Sequence, residues 1–152
     1  MTVRIGVLSD THNLLRPEAI AALKASDLIV HAGDVCRLEV LEALERIAIV
    51  VAVRGNNDRG RWARGLPLSR TLEVSGYHIH IIHDLNELDG DARKFHAVMS
   101  GHSHKPGLHR RDGVLFLNPG SAGPRRFKLP VAVARLSVGK TGLRARIVEL
   151  SI

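Results

Sequence analysis

The order of apolar and helical segments in the first third of the chain constrains the fold most strongly. The runs "VRIGVLS", "DLIVHAG" and "IAIVVAV" are apolar, as strands buried on both faces are. Residues 17–25, between the first two runs, begin with Pro and carry Glu in the first turn of a predicted helix. The segment "RLEVLEALERI" then repeats leucine at helical spacing. This βαβαβ order predicts a parallel sheet with right-handed crossovers.

The remainder of the chain is rich in strands. "TLEVSGYHIHIIH" reads as two strands joined at Ser75-Gly76, and four more short strands are predicted: "AVMSG", "GVLFLNPG", "VAVARLSVG" and "LRARIVELS". Several of these segments alternate between apolar and polar residues, which suits antiparallel strands whose sheet has one face exposed to solvent. Two packed sheets flanked by helices account for both halves. We expect one domain over residues 1–152, because this length fits a single core and no internal repeat is visible.

Composition narrows the class of protein. Hydrophobic residues make up 45% of the chain, which argues against disorder. The longest apolar run, residues 47–53, is too short to cross a bilayer, and the N-terminus does not resemble a signal peptide. A single cysteine, Cys36, fits a cytoplasmic location. The net charge of +7 attracts phosphorylated small molecules or nucleic acid, or reflects a basic surface without a specific role.

Polar clusters follow five of the predicted strands. They read "DTH" from residue 10, "GD" from residue 33, "GNND" from residue 55, a histidine at residue 83 and "GHSH" from residue 101. In open α/β sheets, functional side chains gather at the carboxyl ends of parallel strands. One sheet edge is therefore expected to collect Asp10, His12, Asp34, Asn56, His83, His102 and His104.

Carboxylates and imidazoles gathered in this way suit a metal site with mixed nitrogen and oxygen ligands. Two ions that share Asp34 would use all seven side chains. Ions about 3.5–4 Å apart can clamp both sides of an in-line displacement. Individually the motifs have other interpretations: Asp10 and Asp34 suit helix N-caps, and "GNND" suits a turn.

The ordered motifs resemble the calcineurin-like metallophosphoesterase superfamily across residues 5–121. The short length and the "NPGS" at residues 118–121 resemble its small bacterial and archaeal phosphodiesterases. The resemblance implies a four-layer α/β/β/α sandwich, with two mixed sheets packed face to face and helices outside. It also implies which residues hold metal. Asp10, His12 and His104 would bind one ion, Asn56, His83 and His102 a second, and Asp34 would bridge the two.

The implied activity is hydrolysis of a phosphate ester by a hydroxide that bridges two divalent ions. Mn²⁺ is the first expectation, and Fe, Zn, Ni and Mg also suit the ligands. We expect Asp34, Asn56, Asp58 and His102 to be catalytic, with Asp58 orienting a ligand or a neighbour. Asn57 and Arg125 are candidate substrate-binding residues. We expect His102 and His104 to reach different ions because alternate residues of an extended chain point the same way.

Two departures from the family pattern matter. Asn57 stands where the protein-phosphatase branch has a His that protonates the leaving group, and general acid help is typically worth about 10²–10⁴-fold. This loss favours diesters with good leaving groups. The second departure is Asp84, which follows His83 where Gly is usual and keeps His78 and His80 open as alternatives.

A phosphodiesterase acting on a small-molecule phosphate ester is the leading hypothesis. The alternatives are a phosphomonoesterase, a nuclease, or a non-catalytic scaffold like the retromer subunit of this fold. Nucleic acid is the less favoured partner because no separate nucleic-acid-binding module is recognisable in the sequence. No membrane partner is expected, and a homo-oligomer is compatible with the sequence.

Overall fold

Two five-stranded mixed sheets form the framework of the computed structural model, which describes residues 2–152. The elements of the described chain are β1 (Val3–Leu8), α1 (Pro17–Leu23), β2 (Leu28–His31), α2 (Leu38–Glu45), β3 (Ile49–Ala52), β4 (Ser69–Val74), β5 (Tyr77–Ile82), β6 (Ala97–Met99), β7 (Gly107–Arg111), β8 (Val114–Asn118), β9 (Ala132–Gly139) and β10 (Gly142–Glu149). Short 3₁₀ turns lie at Trp62–Gly65, Leu85–Glu87 and Ala92–Lys94.

Both sheets contain three neighbouring parallel strands. The first sheet has the order β10-β9-β1-β2-β3, in which β1, β2 and β3 run parallel as predicted and β9 and β10 are antiparallel additions. The second has the order β4-β5-β6-β8-β7, in which β5, β6 and β8 are parallel. In the first sheet Leu8 pairs with His31, and His31 pairs with Ala52. The three strands therefore end at one level, and the polar motifs begin just beyond it.

The main core lies between the two sheets. Every second residue of the parallel strands points into it, as the side-chain alternation of a strand requires. Ile5 and Val30 from the first sheet and Ile79 and Met99 from the second are all at most 1% exposed in this cluster. Since aliphatic side chains supply nearly all of this interface, the scarcity of aromatic residues does not prevent close packing of the sheets.

The outer faces of the two sheets are covered differently. Helices α1 and α2 bury Leu23 and Leu44 against the outer face of the first sheet. The outer face of the second sheet packs on Leu85 and Phe95, which belong to or adjoin the 3₁₀ turns. The prediction of an α/β fold with two packed mixed sheets is therefore confirmed. The fourth layer consists of the 3₁₀ turns in the connection from β5 to β6, where the resemblance implied helices.

Strand β7 is absent from the elements expected from the sequence. Its residues "GLHRR" are mostly exposed and carry two arginines, so neither alternation nor apolar character marks them as a strand. The strand lies at the sheet edge and pairs only with β8, where charged residues discourage pairing with another molecule. Within residues 2–152, no helix has the length and apolar character that a membrane crossing requires.

Candidate metal centre

The parallel strands of both sheets deliver their polar motifs to one common edge. Strands β1, β2 and β3 lead into the loops that carry Asp10, Asp34 and Asn56, while β5 and β6 lead into the segments of His83 and His102. All seven residues expected to hold metal lie within one network of side-chain contacts: Asp10, His12, Asp34, Asn56, His83, His102 and His104. Residues far apart in sequence thus form one site.

Asp10 lies at the centre of this network with one unpaired oxygen. Its Oδ1 atom is 3.6 Å from Nε2 of His12, 3.5 Å from Nε2 of His104 and 3.9 Å from Nε2 of His83. The side chain is completely buried, and Oδ1 has no hydrogen-bond partner among residues 2–152. A buried carboxylate oxygen without a partner is costly, because burial removes water without replacing its hydrogen bonds. Three imidazole nitrogens around that oxygen create a position that a cation would stabilise.

Asp34 lies between two of these histidines. Its Oδ2 atom is 3.5 Å from Nε2 of His12 and 3.4 Å from Nε2 of His83. The backbone N–H of Asn57 donates to Oδ1 of Asp34 at 2.9 Å, and the Asn57 side-chain amide donates to Oδ2 at 2.8 Å. The carboxylate is therefore fixed in orientation and faces donors on both sides of the site.

The hydrogen bonds of His83 assign the roles of its two ring nitrogens. Nδ1 lies 2.7 Å from the carbonyl oxygen of Ala32, which can only accept, so Nδ1 carries a proton. In the neutral ring, Nε2 then presents its lone pair toward Asn56 Oδ1 at 3.0 Å and toward Asp34. The same Asn56 oxygen is 3.1 Å from Nδ1 of His102. Several lone pairs facing one another require a shared cation or an additional proton.

The pKa shifts follow from this crowding. Burial alone would raise the pKa of Asp34, but the contact with the His83 imidazole and the hydrogen bonds from Asn57 outweigh it and hold that pKa well below its usual range. Burial likewise opposes the charged form of His83, but the carboxylates of Asp34 and Asp10 raise its pKa overall. The carboxylates therefore stay ionised at neutral pH, as metal ligands must.

Most residues of the site also have a strained backbone conformation. Five of its seven residues have left-handed backbone angles, with φ of 57° at Asp10, 45° at His12, 57° at Asp34, 72° at His102 and 62° at His104. This conformation costs roughly 1–3 kcal/mol for a residue other than glycine and concentrates at functional sites. Together with the unpaired Asp10 oxygen, these angles mark the cluster as a candidate functional site.

The expected geometry of "GHSH" is wrong in one respect. We expected an extended segment, but the positive φ angles of His102 and His104 make it a bent loop. His104 is turned inward and its side chain is 5% exposed, whereas the His102 side chain is 45% exposed at the rim. The oxygen of Ser103 accepts hydrogen bonds from Asn118 and from the backbone N–H of Lys105. These bonds hold the bend.

Asp58 contacts backbone groups of the site. Its Oδ2 atom accepts from the N–H groups of Asp34 at 3.0 Å and Gly55 at 2.8 Å, and its Oδ1 atom accepts from Cys36 at 2.7 Å. It thereby joins the loop after β2 to the loop after β3. Asp58 is therefore a positioning residue, because it holds the backbone N–H of Asp34 and does not contact its carboxylate.

Replacing Asp58 by Asn should weaken both the fold and the site. One carboxylate oxygen becomes an NH₂ group that faces backbone N–H donors, so we expect a loss of about 2–3 kcal/mol in the free energy of unfolding. Metal affinity should fall by about 10–100-fold, because Asp34 loses its support. Denaturant unfolding and metal titration measure the two effects. Asp112→Asn, in the exposed turn between β7 and β8, is the matched control, and equal behaviour of both variants would contradict the role of Asp58.

The remaining expected residues lie in different surroundings. Asn57 donates its backbone N–H and one side-chain N–H to Asp34, and its role as a substrate-binding residue stays a prediction. Arg125 is exposed on the loop after β8, and its role also stays a prediction. His80 bonds to Thr71 and stacks on Phe95 at the outer face of the second sheet, and His78 pairs with Glu73. The structure therefore brings His83, not these alternatives, next to Asp34.

Two supporting residues were not recognised in the sequence. The side-chain amide of Asn118 donates to the carbonyl oxygen of Gly101 at 3.0 Å and to Ser103, so the "NPGS" motif supports the "GHSH" loop. Asp84 places Oδ2 at 3.8 Å from Nε2 of His102. Its position directly after His83 was noted as a departure, but sequence spacing alone could not place its carboxylate beside a histidine from another strand.

Two packed mixed sheets that gather imidazoles and carboxylates at their common edge define a metal-dependent class of protein. Residues 3–141 match the sequence profile of the calcineurin-like phosphoesterase superfamily domain. The chain is also 34% identical over 159 residues to a probable metallophosphoesterase of Methanothermobacter thermautotrophicus, an alignment that covers 95% of this chain and 91% of the relative. The protein belongs to the calcineurin-like phosphoesterase superfamily, in its small archaeal and bacterial branch.

Solved structures share the fold. A protein described as a novel archaeal phosphodiesterase is 25% identical, with a TM-score of 0.78, and the match covers 96% of this chain and 100% of that chain. Vps29 from Chaetomium thermophilum also matches with a TM-score of 0.78, over 98% of each chain, but is 15% identical. The likeness to Vps29 therefore concerns the fold alone.

Proposed function

We propose that the protein is a phosphodiesterase that depends on two divalent metal ions. The observation that carries this proposal is the buried, unpaired Oδ1 atom of Asp10, with three imidazole nitrogens within 3.9 Å of it. The specificity for diesters has two supports. A structural relative is described as an archaeal phosphodiesterase, and Asn57 has no acidic proton for a poor leaving group.

The ligand assignment follows the two halves of the site. Asp10, His12 and His104 would hold the first ion, and their ligand atoms lie within 4.8 Å of one another. Asn56, His83 and His102 would hold the second, since the Asn56 oxygen contacts both imidazoles. Asp34 would serve both ions because its Oδ2 atom is nearly equidistant from His12 and His83. Mn²⁺ is the leading candidate, and Fe, Zn, Ni and Mg also suit these ligands.

Bound ions would lower the pKa of a water molecule and offset the negative charge that develops on the phosphoryl oxygens. The chain supplies orientation and charge. Asn57 fixes the Asp34 carboxylate, Ala32 holds a proton on Nδ1 of His83, and Asp58 anchors the backbone beneath Asp34. The exposed side of His102 leaves room at the rim for a phosphate ester of a small molecule. We place this activity in the cytoplasm and in a single domain spanning residues 1–152.

Metal removal tests the proposal directly. Protein supplied with Mn²⁺ should hydrolyse bis-p-nitrophenyl phosphate, and prolonged chelation should reduce hydrolysis to background. For each of the two ions, chelation should also lower the free energy of unfolding by about 2.7 kcal/mol relative to protein at 100 times the metal dissociation constant. For a chain of this length each ion then corresponds to a thermal midpoint lower by roughly 5–10 °C. Metal-independent hydrolysis, or an unfolding midpoint that ignores Mn²⁺, would contradict the proposal.

Comparing esters separates the candidate activities. A diesterase should turn over bis-p-nitrophenyl phosphate at least about 10-fold faster than the monoester p-nitrophenyl phosphate. Both esters release p-nitrophenolate, so the ratio reports recognition of the diester and not the quality of the leaving group. The reverse order would identify a phosphomonoesterase, and cleavage of oligonucleotides a nuclease. The shared fold with Vps29 supports a scaffold as the second candidate. Metal analysis that finds two ions per chain, together with turnover, would exclude a scaffold that has no catalytic role.

A further inference from the structure

The loop after strand β8 is fixed to the site at its base. The hydroxyl oxygen of Ser121 lies 3.1 Å from the carbonyl oxygen of Asp10 and 2.8 Å from that of Pro124, and its single proton is shared between the two acceptors. Gly123 packs on Thr11 so closely that a Cβ atom there would lie 2.1 Å from the Thr11 carbonyl oxygen. Arg16 donates to the Gly123 carbonyl oxygen at 2.9 Å. Since Asp10 and His12 flank Thr11, the base of the loop holds a constant position relative to the candidate metal centre.

The tip of this loop, residues 125–128, projects from that base. Its four residues, Arg-Arg-Phe-Lys, are all exposed, and the Leu129 N–H closes the turn on the carbonyl oxygen of Arg126 at 3.0 Å. The base of the loop contacts Asp10 and Thr11, so the tip projects from a position next to the candidate metal centre. The tip therefore brings three cations and one aromatic ring near this centre.

Phe127 has no packing role within the described residues. It is 89% exposed, more than any other large hydrophobic side chain in residues 2–152, and belongs to none of the hydrophobic clusters there. Its φ angle of 53° is a left-handed conformation that bulky residues rarely adopt. Exposure and backbone strain at the same aromatic residue argue that Phe127 serves a function other than packing within the fold.

We infer that Phe127 is a substrate-recognition residue that stacks on a planar aromatic group attached to the phosphate. The inference rests on the proposed phosphoesterase function. Aromatic rings and basic side chains in one short segment are the two elements with which proteins hold nucleotides and similar phosphate esters. At the tip, Arg126 and its basic neighbours attract the phosphate charge, and Phe127 offers a flat surface for the attached ring. The aromatic group is an aryl ester or a nucleobase, which share this chemistry.

Calorimetry on the metal-loaded full chain tests the inference without requiring turnover. The probes are inorganic phosphate, methyl phosphate, phenyl phosphate and adenosine monophosphate. Wild-type protein should bind phenyl phosphate at least about 5-fold more tightly than methyl phosphate, the lower end of what base–aromatic stacking contributes. Phe127→Ala should remove this advantage and leave the affinity for inorganic phosphate unchanged, while Phe127→Trp should keep it. A greater advantage for adenosine monophosphate than for phenyl phosphate would indicate a nucleobase, and the opposite order an aryl group.

The control is Ile49→Ala, which truncates a side chain that is 74% exposed at the start of β3, the end of the strand opposite to the site. It should leave every affinity unchanged. The inference would be overturned if the ratio of affinities for phenyl and methyl phosphate were the same in wild type and in Phe127→Ala. It would also be overturned if wild-type protein bound the two esters equally tightly. Failure of wild-type protein to bind inorganic phosphate would instead overturn the proposed function, and this inference with it.

Discussion

Replacing Asp34 by Asn should abolish hydrolysis of bis-p-nitrophenyl phosphate, with a loss on the order of 10³-fold or more. The variant keeps the shape of the side chain but removes the carboxylate charge that lies 3.5 Å from His12 and 3.4 Å from His83, and leaves only Asp10 as a carboxylate near both imidazoles. Both proposed ions lose a ligand together, so metal content should fall from two ions per chain to at most one. Elemental analysis after dialysis and steady-state kinetics measure the two losses.

The neutral side chain also affects its neighbours. In Asp34→Asn one oxygen that accepts from Asn57 becomes a donor, so the Asn57 contact is partly lost as well. Asp112→Asn serves again as the control because it removes an equal charge from an exposed turn and should retain both ions and full activity. Retention of two ions and wild-type turnover by Asp34→Asn would refute the assignment of Asp34 as the shared ligand.

Gly101→Ala should damage the site severely, although it adds only a methyl group. A Cβ atom at this position would lie 2.0 Å from Oγ of Ser9 and 2.8 Å from Oδ2 of Asp10. Ser9 is completely buried, and Asp10 Oδ2 already accepts from the N–H of His102 at 3.0 Å. The methyl group must therefore push the "GHSH" loop away from Asp10. Displacement of reacting groups by about 1 Å costs on the order of 10²-fold in rate.

Stability should fall in the same variant by about 1–3 kcal/mol, as is usual for an overpacked core. Gly65→Ala is the matched control, because among the described residues no atom lies within 4 Å of a Cβ atom placed there. Its free energy of unfolding should stay within about 0.5 kcal/mol of wild type. Thermal unfolding and turnover of bis-p-nitrophenyl phosphate should both separate the two variants. A fully active Gly101→Ala protein would contradict this prediction, because it would show that the "GHSH" loop can move away from Asp10 without loss of activity.

The sequence was most informative where chain order determines geometry. Three apolar runs separated by helical segments leave few topologies other than a parallel sheet, and parallel strands place Asp10, Asp34 and Asn56 at one edge. His83 followed from the same reasoning applied to the second sheet. The structure brings all seven expected residues together for this reason, and residue spacing alone would not have been sufficient.

Features that depend on side-chain environment were not predictable in this way. Strand β7 is mostly polar, and its pairing with β8 depends on a partner that sequence alternation does not reveal. The left-handed angles of His102 and His104 occur in a loop that contacts Asp10 from another sheet, a tertiary contact that local sequence does not specify. Phe127 was overlooked because the exposed or buried state of a single aromatic residue depends on tertiary packing.

The five left-handed residues at the site also bear on how this chain can change over time. Glycine accepts such angles at little cost, whereas a residue with a Cβ atom is strained by them. Selection for heat resistance alone would therefore favour glycine at His12, His102 and His104. A descendant protein that no longer needs catalytic activity could gain stability first by substitutions at those positions. Histidines retained in such strained conformations thus mark lineages in which turnover is still under selection.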